Sequence, residues 1–337
     1  MRIILMSTRR AAAAVACALL LPAGLAACAP SPADDGSVAV LASFYPLQYV
    51  AEQVGGDHVS VSALTPPGAE PHDLELSPRQ VRSVGEADVV VVLGGFQPAV
   101  DEAVAAREPA HVVDAARTPA VAEHRAEHGG TAEDHGADDH AEAAEPEHEH
   151  DEAAEQGEEG DGHDHEGGDP HFWLDPTLLA AVAADVASVL GEADPDHADV
   201  FTANAAALAE ELDALDAELA AGLATCEQRV VVTSHEAFGY LAERYGFEQV
   251  GISGLDPEAE PSPARLREIR TVVEEHGVTT IFTEQLLNPK VAETLAADLG
   301  IGTAVLDPLE SQADEDSDYR DVMERNLEAL REALRCA

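Results

Sequence analysis

Short runs of apolar residues alternate along this chain with longer stretches in which apolar residues recur every three to four positions. The short runs are rich in valine and predict buried β-strands; they lie at residues 38–43, 58–64, 88–93, 110–114, 229–233, 248–252, 279–283 and 303–306. The periodic stretches open with proline or serine in most cases, as helices do; they lie at 46–54, 77–86, 98–106, 236–245, 262–275, 289–299 and 317–334. This alternation predicts parallel β-sheets covered by helices.

Two further helical patterns, at residues 176–190 and 195–223, stand between the two sets of strands. The second is rich in Ala, Leu and Glu, and its one proline is Pro195, at the start, where a helix tolerates it. We therefore expect an α/β fold with two (βα)4-type lobes, residues 38–194 and 224–337, joined by a long rigid linker helix at 195–223. Because such folds bind ligands at the carboxyl ends of their strands, the cleft between the lobes is the expected site.

Residues 121–168 differ in composition from the rest of the chain. They consist largely of Ala, Glu, Asp, Gly and His without an apolar period, so they cannot bury enough surface to offset their ordering entropy, and we expect a disordered loop. Clustered imidazoles among carboxylates suit exchangeable binding of divalent transition metals, so we interpret the segment as an accessory metal loop, the alternative being a solvated spacer. Its histidines are His124, His128, His135, His140, His148, His150, His163 and His165.

The net charge of -48 narrows the range of partners. Nucleic acid is excluded, because binding to phosphates needs a basic surface. Much of the negative charge lies in the histidine-rich segment, which leaves a moderately acidic fold elsewhere. A protein of this kind suits cations as ligands.

The N-terminal residues have the layout of a secretory signal. Three arginines within the first ten residues precede an apolar run at 11–27, which ends in the sequence LAAC at Cys28. This ending resembles a bacterial lipobox, so we expect a signal peptide at 1–27, lipidation of Cys28 and a tether at 28–37. An ordinary signal or an anchor helix is the alternative. We expect the mature protein outside the cytoplasm, anchored to the cell membrane.

Two cysteines remain once the signal and the lipid site are set aside. Cys226 and Cys336 would lie in an oxidising compartment, where pairing is expected, although two free thiols are the alternative. A disulfide bond between them would fix the C-terminal helix to the start of a strand.

Three histidines and one aspartate stand at the ends of predicted strands or just before a predicted helix: His72, His171, His235 and Asp307. Each alone is weak evidence, since His171 among proline pairs and Asp307 before Pro308 are also typical of turns. Together they direct two ligands from each lobe towards one cleft. Three imidazoles and one carboxylate complete a tetrahedral Zn²⁺ site.

Several motifs resemble one family, the solute-binding lipoproteins of zinc and manganese ABC importers (cluster A-I). They are Gly68-x-x-x-His72, the run DPHFWLDP at 169–176, Thr233-Ser234-His235-x-x-Phe238-x-Tyr240, Phe282-Thr283-Glu284 and Leu306-Asp307-Pro308-Leu309. The resemblance extends from about Val38 to the C-terminus. It implies the same four ligands, two lobes around a rigid helix, and as partners an ABC permease and its ATPase.

The resemblance leaves two glutamates outside the predicted ligand set. Pro71 separates Glu70 from His72, so we do not assign Glu70 as a ligand. Glu284 matches a glutamate of the family, and either orients a histidine or has a structural role.

Zinc is the expected cargo, and Mn²⁺ is less favoured, because zinc prefers nitrogen ligands and manganese members tend to carry a carboxylate where this chain has His235. We predict a monomeric receptor that delivers zinc to the permease, with affinity falling below about pH 6.5 as imidazoles take up protons. A manganese receptor and a zinc-dependent surface adhesin or scavenger are the alternatives. A zinc hydrolase is disfavoured, because Asp307 would fill the position that a catalytic water needs and the HExxH motif is absent.

Overall fold

The computed structural model describes residues 36–128, 168–314 and 316–337. The predicted signal peptide, Cys28 and nearly all of the tether lie outside the described residues. So do six histidines of the predicted metal loop: His135, His140, His148, His150, His163 and His165.

The N-terminal lobe is built on a parallel sheet of four strands in the order β2-β1-β3-β4. The strands are β1 (Val38–Ala42), β2 (Val59–Ala63), β3 (Val89–Val92) and β4 (His111–Asp114). Strand β3, one of the two inner strands, consists of four valines, all buried, because helices cover both faces of a parallel sheet. The first three helices of the lobe are α1 (Tyr45–Gly55), α2 (Pro78–Glu86) and α3 (Pro98–Arg107).

The C-terminal lobe repeats this topology, with its strands in the order β6-β5-β7-β8. The strands are β5 (Val230–Thr233), β6 (Glu248–Gly251), β7 (Thr280–Thr283) and β8 (Gly302–Val305). The helices are α7 (Gly239–Tyr245), α8 (Pro263–His276), α9 (Lys290–Leu299) and α10 (Tyr319–Ala333). The predicted α/β class with two four-stranded lobes is confirmed. Helix α7 begins three residues later than predicted, because the chain after β5 first forms an irregular turn that contains His235.

Two long helices lie between the lobes: α5 (Pro176–Ala193) and α6 (Ala198–Leu223), separated by one turn of 3-10 helix. Helix α6 has 26 residues, which corresponds to about 39 Å. Leu208, Leu212, Leu215 and Leu219 recur along it at a spacing of three or four and are buried. The helix packs on α1 and α5 on one side and on α10 on the other, so it forms part of the core of both lobes.

Among the described residues, α5 is the one helix long and apolar enough to cross a membrane. Its apolar residues Leu179, Val182, Val186 and Leu190 are fully buried in the protein core. Its apolar character is that of a core helix, which can be as long and as apolar as a membrane span.

One more helix, α4 (Pro119–His128), lies where the sequence predicted the start of the disordered loop. It begins with a proline, and Val121 in its first turn is fully buried in the core. The hydroxyl of Thr118, just before the helix, donates to Asp185 of α5 over 2.6 Å. The predicted loop boundary at residue 121 is thereby corrected, and His124 and His128 belong to α4.

The C-terminal end of the chain lies beside the start of the C-terminal lobe. The sulfur atoms of Cys226 and Cys336 are at bonding distance, across a sequence separation of 110 residues. The backbone N–H of Gln228 donates to Leu334 O over 2.9 Å in the same region. This places the end of α10 against the segment that leads into β5.

Candidate metal centre

His72 lies in the irregular segment that follows β2. Its backbone N–H donates to Glu70 Oε1 over 2.9 Å, which shapes the turn through Pro71. The side chain of Gln97 donates to the carbonyl of Pro71 (3.0 Å) and to the hydroxyl of Thr65 (3.1 Å), both buried bonds. These contacts hold the segment at the carboxyl end of the N-terminal sheet, with the imidazole of His72 pointing into the cleft.

His171 is fixed by an aspartate two residues before it. Asp169 Oδ1 accepts from the backbone N–H of His171 (2.9 Å) and from its Nδ1 (2.7 Å), so Nε2 is the nitrogen available to the cleft. The indole N–H of Trp173 donates to Pro308 O over 2.7 Å, a buried bond from the N-terminal to the C-terminal lobe. A Cβ on Gly239 would collide with the Asp169 carboxylate, so this aspartate approaches α7 as closely as a glycine permits.

His235 occupies the turn between β5 and α7, and a glutamate from the next strand along the sheet orients it. Glu284, at the end of β7, accepts from His235 Nδ1 over 2.8 Å, and both side chains are buried. The hydroxyl of Thr233 donates to His235 O over 2.6 Å and fixes the turn. Of the two roles left open for Glu284, the geometry supports orientation of a histidine.

The three imidazoles converge on a carboxylate that the sequence did not single out, that of Glu310. Its Oε1 lies 3.2 Å from Nε2 of His72, 3.0 Å from Nε2 of His171 and 3.3 Å from Nε2 of His235. One ligand atom from each of the four residues fits within 4.8 Å of the others, and all four residues are buried. Among the described residues this is the one such group of four.

Asp307 is not part of this cluster, which corrects the predicted position of the carboxylate. Its Oδ1 accepts from the backbone N–H of Leu309 (2.8 Å), as an aspartate in a turn does. Asn326 of α10 binds the backbone of Asp307 on both sides, accepting from its N–H (2.9 Å) and donating to its O (2.7 Å). Leu309 then adopts a left-handed conformation (φ 60°), and the turn brings Glu310 into the cleft. In the sequence, the only sign of this role for Glu310 was that a second carboxylate stands three residues after Asp307.

The four side chains have the spacing that a tetrahedral metal site requires, to within small adjustments. With bonds of about 2.0–2.2 Å, the edges of a tetrahedral zinc site measure roughly 3.3–3.6 Å. The contacts from Glu310 Oε1 to the three nitrogens are 3.0–3.3 Å, and all four ligand atoms lie within 4.8 Å of one another. The aromatic rings of Phe96 and Trp173 adjoin His72 and His171, with ring centroids 4.8 and 5.1 Å away, and form an apolar wall on the N-terminal side.

Burial and the carboxylates set the protonation of the cluster. Burial alone would lower the pKa of His235, but Glu284 and Glu310 outweigh it and raise that pKa to about 10. His171 follows the same pattern, with burial opposed by Asp169 and Glu310, and its pKa is raised. Burial would raise the pKa of Glu310, but hydrogen bonds from the three histidines hold it well below its ordinary range. Burial also lowers the pKa of His72, against the opposing effect of Glu310.

These shifts predict that metal binding releases protons at neutral pH. The raised pKa of His235, about 10, keeps its imidazole protonated at neutral pH, and the raised pKa of His171 acts in the same direction, so a metal must displace protons from the cluster. Zinc affinity is therefore expected to rise with pH through neutrality, whereas ordinary imidazoles would give a dependence only below about pH 6.5. Calorimetry near pH 7.5 in buffers of different ionisation enthalpy should show release of about one proton or more per zinc. An affinity independent of pH between about 6.5 and 8.5 would contradict this protonation pattern.

One histidine of the predicted metal loop is described with its side chain. His124 of α4 stacks on Tyr240 of α7 with ring centroids 4.3 Å apart, and its Nε2 lies 3.3 Å from Glu243 Oε2. It is not a member of the buried cluster. His128 ends α4.

Comparisons with known proteins agree with a zinc site. The sequence pattern of the family described as "Zinc-uptake complex component A periplasmic" (ZnuA) matches residues 40–333. The high-affinity zinc uptake system protein ZnuA of Bacillus subtilis is 33% identical over 300 residues, which cover 88% of this chain and 87% of that protein. The zinc-binding lipoprotein AdcA of Streptococcus pneumoniae (strain TIGR4) is 35% identical over 327 residues, covering 94% of this chain; this chain spans 59% of that protein.

Solved structures show the same fold. The Zn(II)-bound ZnuA-like domain of AdcA from Streptococcus pneumoniae superposes with a TM-score of 0.67 at 31% identity, covering 89% of this chain and 99% of that one. The laminin-binding protein Lmb of Streptococcus agalactiae, described as bifunctional with adhesin and metal transporting activity, gives a TM-score of 0.69 at 30% identity. That match covers 88% of this chain and 100% of Lmb.

Proposed function

Because the chain belongs to the family of zinc-uptake complex component A, we propose that it is the extracytoplasmic receptor of a zinc import system. The observation that carries the proposal is the convergence of three imidazole nitrogens and one carboxylate oxygen within 4.8 Å, buried between the two lobes. Zn²⁺ is the cargo, held by His72, His171, His235 and Glu310. The receptor then delivers it to an ABC permease powered by an ATPase.

The ligand chemistry supports zinc over manganese. Three imidazoles and one carboxylate match the nitrogen-rich tetrahedral sites of zinc, whereas manganese prefers more oxygen ligands and a higher coordination number. Asp169 and Glu284 accept from the Nδ1 atoms of His171 and His235, which fixes the ring orientation and increases the basicity of each ligand. Mn²⁺ remains the second candidate for the cargo.

The site is proposed to bind and not to catalyse. A catalytic zinc keeps one coordination position for water, whereas four protein ligands would close this centre. The cluster is also buried, with aromatic walls beside His72 and His171, which suits retention of an ion more than turnover of an organic substrate.

Titration of the chelator-stripped mature protein with Zn²⁺ and then Mn²⁺ tests the proposal. We expect one tight zinc site and weaker manganese binding, both retained when residues 129–167 are removed. This deletion keeps α4 intact, whereas a deletion from residue 121 would remove most of it. Absence of a tight site from the shortened protein would assign the zinc to the histidine-rich segment. A preference for manganese would overturn the cargo.

The proposal also covers the attachment of the protein to the membrane and a disulfide bond in the C-terminal lobe. We propose that Cys28 carries the lipid anchor and that Cys226 and Cys336 form a disulfide bond, for which their sulfur atoms are suitably close. Mass spectrometry of protein isolated from membranes should find an acylated N-terminal peptide that begins at Cys28. An alkylating reagent should label Cys226 and Cys336 only after reduction. Labelling of both without reductant would disprove the bond.

A further inference from the structure

The segments that carry His72 and Glu310 are bonded to each other by the residue next to Glu310. The hydroxyl oxygen of Ser311 accepts from the backbone N–H of Gly68 over 2.8 Å. The same hydroxyl donates to Pro66 O over 3.4 Å, a longer and weaker bond. Gly68 and Pro66 belong to the N-terminal lobe and Ser311 to the C-terminal lobe, so both bonds cross the cleft.

Each partner in this contact is held by the local backbone. Gly68 has a φ of 73°, a left-handed conformation that glycine adopts without strain, and it turns its N–H towards the opposite lobe. On the other side, Asn326 and Trp173 fix the backbone at Asp307 and Pro308, four and three residues before Ser311. The hydroxyl of Ser311 is thus presented from an anchored turn, and its side chain is buried.

The contact lies at the outer rim of the metal cluster. Pro66 and Gly68 are exposed, whereas Ser311 is buried and the four proposed ligands lie inside. Release of a bound ion by separation of the lobes would part the Glu310 carboxylate from the three imidazoles and move the turn at 307–311 away from the segment at 65–72. Ser311 follows Glu310 directly in the chain, so its bonds to Pro66 and Gly68 must break in the same movement.

We propose that Ser311 is a positioning residue that latches the two lobes together and slows the release of zinc. This inference rests on the proposed function, because it concerns the same site. The latch acts on the rate of opening and makes no contact with the metal itself. Because the contact stabilises the closed state and is broken during opening, it raises the barrier to opening and lengthens the residence time of the ion.

The test compares Ser311→Ala with Ser317→Ala and Ser311→Thr in the full mature chain. Ser317 lies in the same connection between β8 and α10, and its hydroxyl contacts Asp314 and Arg325, so its loss removes hydrogen bonds of similar kind away from the cleft. Zinc-loaded protein is mixed with excess chelator and the release rate is measured by stopped flow. Ser311→Ala is expected to release zinc about tenfold faster, as loss of the net stabilisation of one or two hydrogen bonds predicts.

Two further readouts separate a latch from a general loss of stability. The amide of Gly68 should exchange with solvent faster in Ser311→Ala, since its acceptor is gone, and should be unchanged in Ser317→Ala. The unfolding temperature of the metal-free protein should be similar for the two alanine variants. Ser311→Thr retains a hydroxyl and is expected to restore slow release.

The outcomes distinguish failure of the proposed zinc site from failure of the latch alone. If the wild-type protein loses its zinc within the mixing time, the proposed tight site fails and the latch fails with it. If the wild type holds zinc and Ser311→Ala releases it at the same rate, the site stands and the latch is overturned. Faster release accompanied by a loss of metal-free stability well beyond that of Ser317→Ala would also overturn it, because Ser311 would then be a structural residue.

Discussion

Replacing His171 by alanine is expected to abolish tight zinc binding. A four-ligand zinc site contributes on the order of 12 kcal/mol of binding free energy, so one ligand accounts for roughly 3 kcal/mol, or about a hundredfold in affinity. The loss should be larger here, because Asp169 and Glu310 would each lose a buried partner on the side of His171. Competition with a chromophoric chelator measures the change.

The matched control for this variant is His276→Ala. His276 is exposed in the last turn of α8, outside the metal cluster, so its removal changes the histidine content without changing the cleft. It should bind zinc as the wild type does. Because loss of a buried side chain also destabilises the fold, the unfolding temperature of metal-free His171→Ala must be recorded. Wild-type affinity in a folded His171→Ala protein would rule out the cleft as the zinc site.

The second large effect is expected from Glu310→Gln, compared with Asp307→Asn. Glu310 contacts all three imidazoles, so loss of its charge removes both a proposed metal ligand and the partner that helps raise the pKa of His171 and His235. We expect zinc affinity to fall about a hundredfold and fewer protons to be released on binding. Asp307→Asn should leave the affinity within about threefold, since its Oδ1 serves the turn at Leu309.

This pair of variants decides between the carboxylate predicted from the sequence and the one placed by the fold. Both substitutions preserve side-chain shape and both residues lie in the same turn, but Glu310→Gln also removes the buried charge that faces the three imidazoles and should lower stability more. The metal-free unfolding temperatures provide the check. A large loss of affinity in Asp307→Asn together with a small loss in Glu310→Gln would restore Asp307 as the ligand.

The pattern of apolar runs was sufficient for the fold. Valine-rich strands such as β3 are buried on both faces and therefore appear as uninterrupted apolar runs, which makes them easy to locate. Helix α4 was missed because its surroundings are rich in charged residues and alanine. What holds it in place is the burial of Val121 and the hydrogen bond from Thr118 to Asp185, both of which depend on distant parts of the chain.

Topology restricts where two of the three histidines lie. His72 and His235 follow β2 and β5, and parallel strands end at one edge of a sheet, so the sequence alone directs these two side chains towards the cleft. The choice between Asp307 and Glu310 had no such basis. Both are carboxylates in one turn, and only the backbone conformation of that turn determines which enters the cleft.

The sequence by itself therefore determined the α/β architecture, the two lobes and the positions of the three histidines at strand ends or before a helix, because periodicity and position relative to strands and helices are local properties of the chain. The tertiary structure decided the fourth member of the cluster, the orientation of each imidazole and the contact across the cleft. Asn326 and Trp173 hold the backbone before Leu309, whose left-handed turn presents Glu310, and Ser311 then reaches Gly68. Ser311 and Gly68 are separated by 243 positions in the chain, and no local pattern specifies a contact over such a distance.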